Sequence, residues 1–198
     1  MNRLHILLIS GSLRSGSTNS AALLTAASLT LDGVSARMYQ GMGNLPHFNP
    51  DDDAEPLHPA VGDLRARLDA SDAVLFCVPE YAGALPGSFK NLLDWTVGGG
   101  TYGKPVAWIN TSAGLGAIDA HESLRRVLER TGTDIVDTAC AHIPVRPQMV
   151  GADGLIDNAA IRERIAGVLL ALSDHVRERA QTTNETSLDM GYAERTDV

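Results

Sequence analysis

The chain has 198 residues, of which 44% are hydrophobic and 20% are charged, and these values predict one globular domain rather than a disordered or fibrous chain. Its 16 basic and 24 acidic residues give a net charge of −8, which argues against nucleic acid or an anionic membrane as a partner. No apolar run approaches the roughly 20 residues of a membrane-spanning helix, and the opening sequence MNRLHILLIS lacks the pattern of a signal peptide.

Strand-like apolar runs alternate with helix-like segments along the chain. The predicted strands lie at residues 4–9, 34–39, 73–78, 106–110 and 135–143. The predicted helices lie at residues 17–29, 60–70, 86–97 with Pro86 at the first helical position, 117–130 and 159–179. This alternation, joined by right-handed crossovers, is typical of a parallel sheet with helices on both faces.

We therefore predict a flavodoxin-like, doubly wound α/β domain at residues 1–180, with five parallel strands in the order 2-1-3-4-5. Residues 41–59 are rich in Gly, Pro, Asn and Asp and are predicted to form a long surface loop. Residues 181–198 show no apolar periodicity, and we predict a polar, mobile C-terminal tail there.

The first predicted strand is followed by a loop rich in hydroxyl groups, GSLRSGSTN at 11–19, which leads into the first helix. In open parallel sheets the ligand lies beyond the carboxyl ends of the strands. Backbone N–H groups and the helix dipole favour a phosphate there, and Arg14 adds a guanidinium. The spacing from Gly11 to Gly16 mimics a P-loop, but Ser17 replaces its lysine, which argues against a nucleoside triphosphatase. The alternative is that this loop only caps the helix.

Two further loops leave neighbouring strands at the same predicted edge of the sheet. PEYAGALPGSFKN at 79–91 combines an aromatic residue with small residues, and NTSAGLG at 110–116 is rich in hydroxyl groups and glycine. A planar heterocycle that bears one phosphate fits three such loops. The segment GGGTYG at 98–103 satisfies GxGxxG, but it follows a helix rather than a strand, so we interpret it as a helix end and a loop.

Together, GSLRSGSTN, LPHFNPD at 45–51 and PEYAGALPGSFKNLLDW at 79–95 resemble the NADPH-dependent FMN reductase family, which includes quinone, chromate and azo-dye reductases. The resemblance covers about residues 4–178. It implies non-covalently held FMN, NADPH or NADH as reductant, and a quinone, a similar small acceptor or free FMN as oxidant. The expected reaction is ping-pong hydride transfer in which the cofactor supplies the chemistry, without a catalytic side chain. The alternatives are a flavodoxin-type electron carrier and a flavin-binding sensor without turnover.

The resemblance also assigns residues to the flavin. Those expected around the phosphate are Ser12, Arg14, Ser17, Thr18 and Asn19. Those expected beside the isoalloxazine are Pro79, Glu80, Tyr81, Ala82 and Gly83. Those expected at its pyrimidine side, where N–H donors stabilise negative charge as an oxyanion hole does, are Thr111, Ser112 and Gly114. Many relatives have asparagine where this chain has Ala82, so we expect its substrate preference to differ.

We assign no metal-binding or redox role to the histidines, the acidic stretch or the cysteines. No two histidines have metal-ligand spacing, no metal is expected, and only His121 is expected near the flavin. The acidic stretch at 51–55 lacks the EF-hand pattern and is interpreted as a solvated loop. Cys77 and Cys140 lack a CxxC spacing, which favours free thiols and a cytoplasmic protein.

Two features suggest association between copies of the chain. Glu80 and Lys90 are alternatively interpreted as ion-pair partners at a subunit contact. The predicted helix 86–97 has more apolar residues than one buried face needs, namely Phe89, Leu93 and Trp95. We therefore predict a homodimer or tetramer that associates through this helix, and the family resemblance implies an oligomer as well.

Overall fold

The computed structural model describes residues 3–97, 99–114 and 116–193, with side chains up to residue 182. Strands and helices alternate as the sequence predicts. The strands are β1 (Leu4–Ser10), β2 (Val34–Tyr39), β3 (Ala73–Cys77), β4 (Pro105–Asn110), β5 (Asp134–Ile135) and β6 (Ala141–His142). The helices are α1 (Thr18–Ser28), α2 (Pro59–Asp69), α3 (Gly87–Asp94), α4 (Ile118–Arg130) and α5 (Ala159–Ala193).

Within these residues the strands form one parallel sheet in the order β2-β1-β3-β4-β5, which confirms the predicted flavodoxin-like fold. The single strand predicted at 135–143 is wrong: β5 and β6 both pair with β4, and a 3-10 turn at Asp137–Ala139 separates them. In this turn the N–H of Ala139 donates to Val136 O at 2.9 Å and that of Cys140 donates to Asp137 O at 3.1 Å. These N–H groups are therefore withdrawn from the ladder, and the strand is interrupted.

Two helix boundaries differ from the prediction. Pro86 is the N-cap of α3 rather than its first residue, and α3 ends at Asp94. At the other end of the chain, α5 extends to Ala193, well into the predicted tail. No proline or glycine interrupts residues 168–190, so a helix continues there even though its apolar periodicity has ended. Residues 194–198 lie outside the described part of the chain, and the mobility of the tail stays a prediction.

The two faces of the sheet bury separate hydrophobic cores, because side chains alternate along each strand. Ile6, Leu8 and Leu75 pack with α1 and α5, whereas Leu7 and Phe76 pack with α2, α3 and α4. Strands that are buried on both faces appear in the sequence as nearly continuous apolar runs. This arrangement fixes the sheet rigidly and leaves the loops at its carboxyl edge to form a site.

Helix α3 holds the long loop at 41–58 against the domain. The amide nitrogen of Asn91 and the indole nitrogen of Trp95 donate to Pro46 O at 2.8 and 2.9 Å, and Asn91 Oδ1 accepts from Phe48 N at 2.7 Å. The ring of Phe48 packs edge-on against Trp95, with 4.9 Å between ring centroids. Two motifs of the family resemblance, LPHFNPD and FKNLLDW, thus contact each other and stabilise the fold.

This packing overturns one reason for predicting self-association through the third helix. Phe89, Leu93 and Trp95 are 0%, 2% and 0% exposed, because all three belong to the core between the sheet and its helices. The expectation that they provide a surplus apolar surface is therefore wrong. Oligomerisation itself stays a prediction and needs a different surface.

Candidate active site

Three loops meet at the carboxyl ends of β1, β3 and β4 and enclose a cavity of about 480 Å³. The cavity brings together most of the predicted site residues: Ser12, Arg14, Ser17, Thr18, Asn19, Pro79, Glu80, Tyr81, Thr111 and Ser112. Val78 and Ala117 also line it, and the sequence motifs missed both. The predicted residues Ala82, Gly83 and Gly114 lie outside the lining.

The first loop comes close to the end of β3. A β-carbon at Gly11 would lie 2.8 Å from Cγ1 of Val78, and the N–H of Gly11 donates to Cys77 O at 2.9 Å. Only glycine leaves room for this approach. Gly16, with φ of +67°, then turns the chain into α1. The two glycines of the first motif therefore set the path of the loop around the cavity.

The N-terminus of α1 presents donors that the protein does not use. Ser17 is the N-cap, and its hydroxyl oxygen accepts from the N–H of Asn19 at 3.2 Å. Among the described residues, the N–H groups of Ser15, Gly16 and Thr18 find no acceptor. The exposed guanidinium of Arg14 lies in the same lining. Free N–H groups at a helix N-terminus beside a guanidinium form a donor set suited to a phosphate group, so the residues present fit FMN.

A buried network beneath the cavity connects α1 to the neighbouring strands. Asn19, only 7% exposed, accepts at Oδ1 from the hydroxyl of Thr111 at 3.2 Å and from the thiol of Cys77 at 3.3 Å. The hydroxyls of Thr18 and Thr111 are 3.4 Å apart. Burial raises the pKa of the Cys77 thiol well above its ordinary value, which keeps the thiol protonated as a donor. Asn19 and Thr111 thus fix the relative positions of the first and third loops.

The second loop folds back on itself directly after Glu80. Tyr81 and Ala84 exchange two backbone hydrogen bonds of 3.0 and 3.1 Å, and the intervening Ala82 and Gly83 have φ of +52° and +70°. These angles are typical of a type I′ turn, for which Asn-Gly is the preferred pair. The asparagine of many relatives thus suits the turn, whereas Ala82 occupies a strained conformation at its exposed tip. Tyr81 is half exposed at the rim of the cavity.

The N-terminus of α4 is capped by a residue from a different loop. Its N-cap, Ala117, has φ of +63° and no side chain that can accept a hydrogen bond. Oε2 of Glu80 instead accepts from the N–H of Ala120 at 3.1 Å. Lys90 pairs with Asp94 on its own helix at 2.6 Å. Both residues suggested for a subunit ion pair therefore have partners within the chain.

The third loop is fixed by Ser112. Asn110 Oδ1 accepts from the N–H of Ser112 at 2.9 Å and from its hydroxyl at 2.6 Å, which closes the loop on itself. The N–H groups of Ala113 and Gly114 find no acceptor in the described part of the chain. Ser112 therefore shapes the loop, and the free donors are provided by the main chain that follows it.

His121, the histidine expected near the flavin, lies behind the cavity wall rather than in it. Its Nδ1 donates to Ala117 O at 2.7 Å, and its ring packs against Trp108. Burial lowers the pKa of His121, an effect opposed by the hydrogen bond to Ala117 and the charge of Glu80. The imidazole is therefore a neutral support for the strained backbone of Ala117.

The described residues contain neither a cluster of metal ligands nor a membrane-spanning helix. No group of three histidine, cysteine, aspartate or glutamate side chains is placed to hold a metal ion in this part of the chain. None of its helices is both long and apolar enough to span a bilayer.

The sequence is similar to a known family and to characterised relatives. A sequence model of the NADPH-dependent FMN reductase family matches residues 4–156. An NAD(P)H-dependent FMN reductase of Pseudomonas aeruginosa is 36% identical over 176 residues, which cover 87% of this chain and 95% of the relative. A quinone reductase of Pseudomonas putida is 30% identical over 161 residues, covering 78% and 82% of the two chains.

A solved structure resembles most of the chain. The flavoenzyme FerB of Paracoccus denitrificans, an NAD(P)H:(acceptor) oxidoreductase, superposes with a TM-score of 0.77 at 30% identity, covering 88% of this chain and 98% of its own. The chain therefore belongs to the NADPH-dependent FMN reductase family and is an NAD(P)H-dependent flavin oxidoreductase with FMN as its cofactor.

Proposed function

We propose that FMN binds in this cavity with its phosphate at the N-terminus of α1 and its ring between the second and third loops. The observation that supports this orientation is the set of unused N–H groups at Ser15, Gly16 and Thr18 beside the guanidinium of Arg14. The proposed phosphate residues are Ser12, Arg14, Ser17, Thr18 and Asn19. The proposed ring residues are Pro79, Glu80, Tyr81, Ala82, Gly83, Thr111, Ser112 and Gly114.

The chain's own residues bind and orient rather than transfer protons. When bound, FMN supplies the hydride-accepting and hydride-donating chemistry. The free N–H groups at Ala113 and Gly114 can stabilise negative charge at the adjoining edge of a ligand. Glu80 caps α4 by accepting from the N–H of Ala120, and His121 lies outside the cavity lining with its Nδ1 on Ala117 O. Both side chains therefore have structural roles, which agrees with a reaction that needs no acid or base from the protein.

We propose that NAD(P)H and the electron acceptor use the same opening in turn. Half-exposed Tyr81 lies in the lining, so the cavity meets solvent at this rim. One shared opening predicts ping-pong kinetics. Steady-state rates measured over a grid of NADPH and quinone concentrations should give parallel double-reciprocal lines, whereas intersecting lines would reject the shared opening.

The direct test of the FMN site is titration of the purified chain with FMN, followed by anaerobic addition of NADPH or NADH. We expect a yellow protein whose absorption bleaches on addition of the nicotinamide and returns on addition of a quinone. A protein that takes up no FMN contradicts the proposal. Bleaching only in the presence of a separate reductase would instead support the electron-carrier alternative, and bound flavin without any turnover would support the sensor alternative.

We further propose a homodimer or tetramer, as the family resemblance implies, in the cytoplasm, as the two free cysteines favour. Support comes from apolar side chains exposed at the edge of the sheet where the loops lie: Leu13 is 60%, Tyr81 50% and Ile118 49% exposed. Exposed apolar surface of this kind favours association. Light scattering of the FMN-loaded protein should give a multiple of the chain mass, and a monomer mass would contradict this part of the proposal.

A further inference from the structure

Two carboxylates lie near the N-terminus of α4, one in the cavity lining and the other just outside it. Glu80 lines the cavity directly. Asp119, in the first turn of α4, is exposed and lies beside the tip of the Tyr81–Ala84 turn, since a β-carbon on Gly83 would be 3.8 Å from Asp119 Oδ2. The opening through which an acceptor must approach is therefore bordered by negative charge.

Ion pairs do not neutralise this negative charge. Among the described residues, neither Glu80 nor Asp119 forms one, and Arg14, which shares the cavity lining with Glu80, belongs to the α1 end. Lys90 is held by Asp94, and Arg125 is held by Asp137. The neighbouring His121 adds no positive charge, because burial lowers its pKa. The N-terminal dipole of α4 offsets part of the charge of Glu80 through the N–H of Ala120, but Asp119 has no hydrogen-bond donor among the described residues.

We propose that Glu80 and Asp119 select against electron acceptors that carry a negative charge on the reacting ring, relative to neutral acceptors with the same ring. The inference rests on the proposed function, since it requires the acceptor to reach the flavin through this opening. An acceptor with a fixed negative charge is repelled at this rim, whereas a neutral quinone pays no such electrostatic cost. In the proposed orientation the phosphate of FMN lies at the α1 end, and the reacting ring of NAD(P)H carries no negative charge, so neither meets the same repulsion.

The test compares two acceptors that share one ring system, 1,4-naphthoquinone and 1,4-naphthoquinone-2-sulfonate, on the FMN-loaded protein with NADPH. The measured quantity is the ratio of kcat/KM for the sulfonate to kcat/KM for the neutral quinone. In Asp119→Asn this ratio should rise about threefold at low salt, as expected for removal of one exposed charge. The control is Asp32→Asn, which removes the same charge from an exposed residue at the opposite edge of the sheet and should leave the ratio unchanged.

Two further measurements separate electrostatics from a change of shape. In the wild type, adding salt to about 0.5 M should raise the ratio, because screening weakens the repulsion, and the rise should be smaller in Asp119→Asn. The sulfonate should also bind the oxidised protein about threefold more tightly in Asp119→Asn, measured by fluorescence quenching without turnover. Glu80→Gln, which keeps an oxygen for the N–H of Ala120, should change the ratio in the same direction.

The outcomes distinguish the inference from the function on which it rests. Equal ratios in Asp119→Asn and Asp32→Asn, with normal reduction of the neutral quinone, would overturn only the charge selection. If the wild type neither binds FMN nor reduces the neutral quinone, the proposed function itself is overturned.

Discussion

Two helix N-termini face the same cavity, and they are completed in opposite ways. The N-terminus of α1 is capped by the neutral hydroxyl of Ser17, and unused N–H groups and Arg14 remain beside it. The N-terminus of α4 has no side-chain cap of its own, and the carboxylate of Glu80 occupies it. The α1 end of the cavity can therefore bind an anionic ligand group, whereas the α4 end already contains the carboxylate of Glu80.

This difference makes the two ends of the cavity electrostatically unlike. A helix N-terminus behaves as roughly half a positive charge, which an anionic ligand can use only where the protein has not neutralised it. At α1 the charge is available, and at α4 Glu80 offsets it. A ligand with a phosphate at one end and a neutral ring at the other consequently has one favourable orientation. Each of the following predictions alters one end of the cavity and leaves the other end intact.

Arg14→Ala should have the largest effect, because it removes a charge-assisted contact from the α1 end. We expect FMN affinity to fall about 10- to 150-fold, equivalent to about 1.5–3 kcal/mol. Riboflavin, which lacks the phosphate, should bind the variant and the wild type equally. Both dissociation constants can be measured from the quenching of flavin fluorescence.

The control for this change is Arg126→Ala, since Arg126 is an exposed arginine on α4 and does not line the cavity. Its removal should leave both affinities unchanged. An equal loss of FMN and riboflavin affinity in Arg14→Ala would contradict a phosphate contact and would place the guanidinium against the ring instead.

Glu80→Ala acts on the α4 end and should destabilise the protein by about 1 kcal/mol, the usual effect of losing a helix cap. Glu80→Gln should recover most of this loss, because its amide oxygen can still accept from Ala120. Ser17→Ala removes the N-cap of α1 in the same way and should lower the unfolding free energy by a similar amount. Urea unfolding of the three variants measures these free energies, and full stability of Glu80→Ala would show that the remote cap is dispensable.

The sequence predicts the α1 end better than the α4 end for a physical reason. Ser17, its cap and the free N–H groups lie within one short segment, so the motif at 11–19 contains the whole donor set. The bond from Ala120 to Glu80 spans 40 residues, and only the packing of β3 beside β4 brings its partners together. No local pattern shows that an alanine at position 117 begins a helix in a left-handed conformation.

The predictable parts of the fold are likewise those whose sequence signal is local. Strands buried on both faces produce continuous apolar runs, so β1, β3 and β4 were predicted almost to their ends. The break between β5 and β6 depends on a local turn whose hydrogen bonds replace pairing with β4. Apolar periodicity does not reveal such a turn. The apolar residues of α3, including Trp95, suggest an interface only until the loop at 41–58 and the sheet are seen to cover them.

Ala117→Gly tests the strain at the α4 end. A left-handed conformation costs an L-residue about 1–2 kcal/mol, whereas glycine loses only about 0.5–1 kcal/mol of unfolded-state entropy. We therefore expect a net stabilisation of about 0.5–1 kcal/mol in urea unfolding. Ala120→Gly, within the first turn of the same helix, should destabilise instead, and the same sign for both variants would argue against strain at Ala117.

The smallest expected effect is a pH dependence confined to the α4 end. Burial lowers the pKa of His121 below its ordinary value of 6.5, although the hydrogen bond to Ala117 and the charge of Glu80 oppose the shift and His142 adds to it. The unfolded chain therefore binds a proton more readily than the folded one. Stability from this group is complete above pH 6.5 and is lost as the pH falls through the lowered pKa.

His121→Gln removes the titration but keeps a side-chain donor that can reach the carbonyl of Ala117. The decrease in unfolding free energy between about pH 7.5 and about pH 5.5 should therefore be smaller in this variant than in the wild type. His47→Gln, at an exposed site in the loop at 41–58, is the matched control. If His121→Gln and the wild type lose equal stability over this range, the proton binds elsewhere. If the decrease in unfolding free energy is smaller in His121→Gln but not in His47→Gln, protonation of His121 beside Ala117 causes it. The α1 end of the cavity has no histidine to titrate.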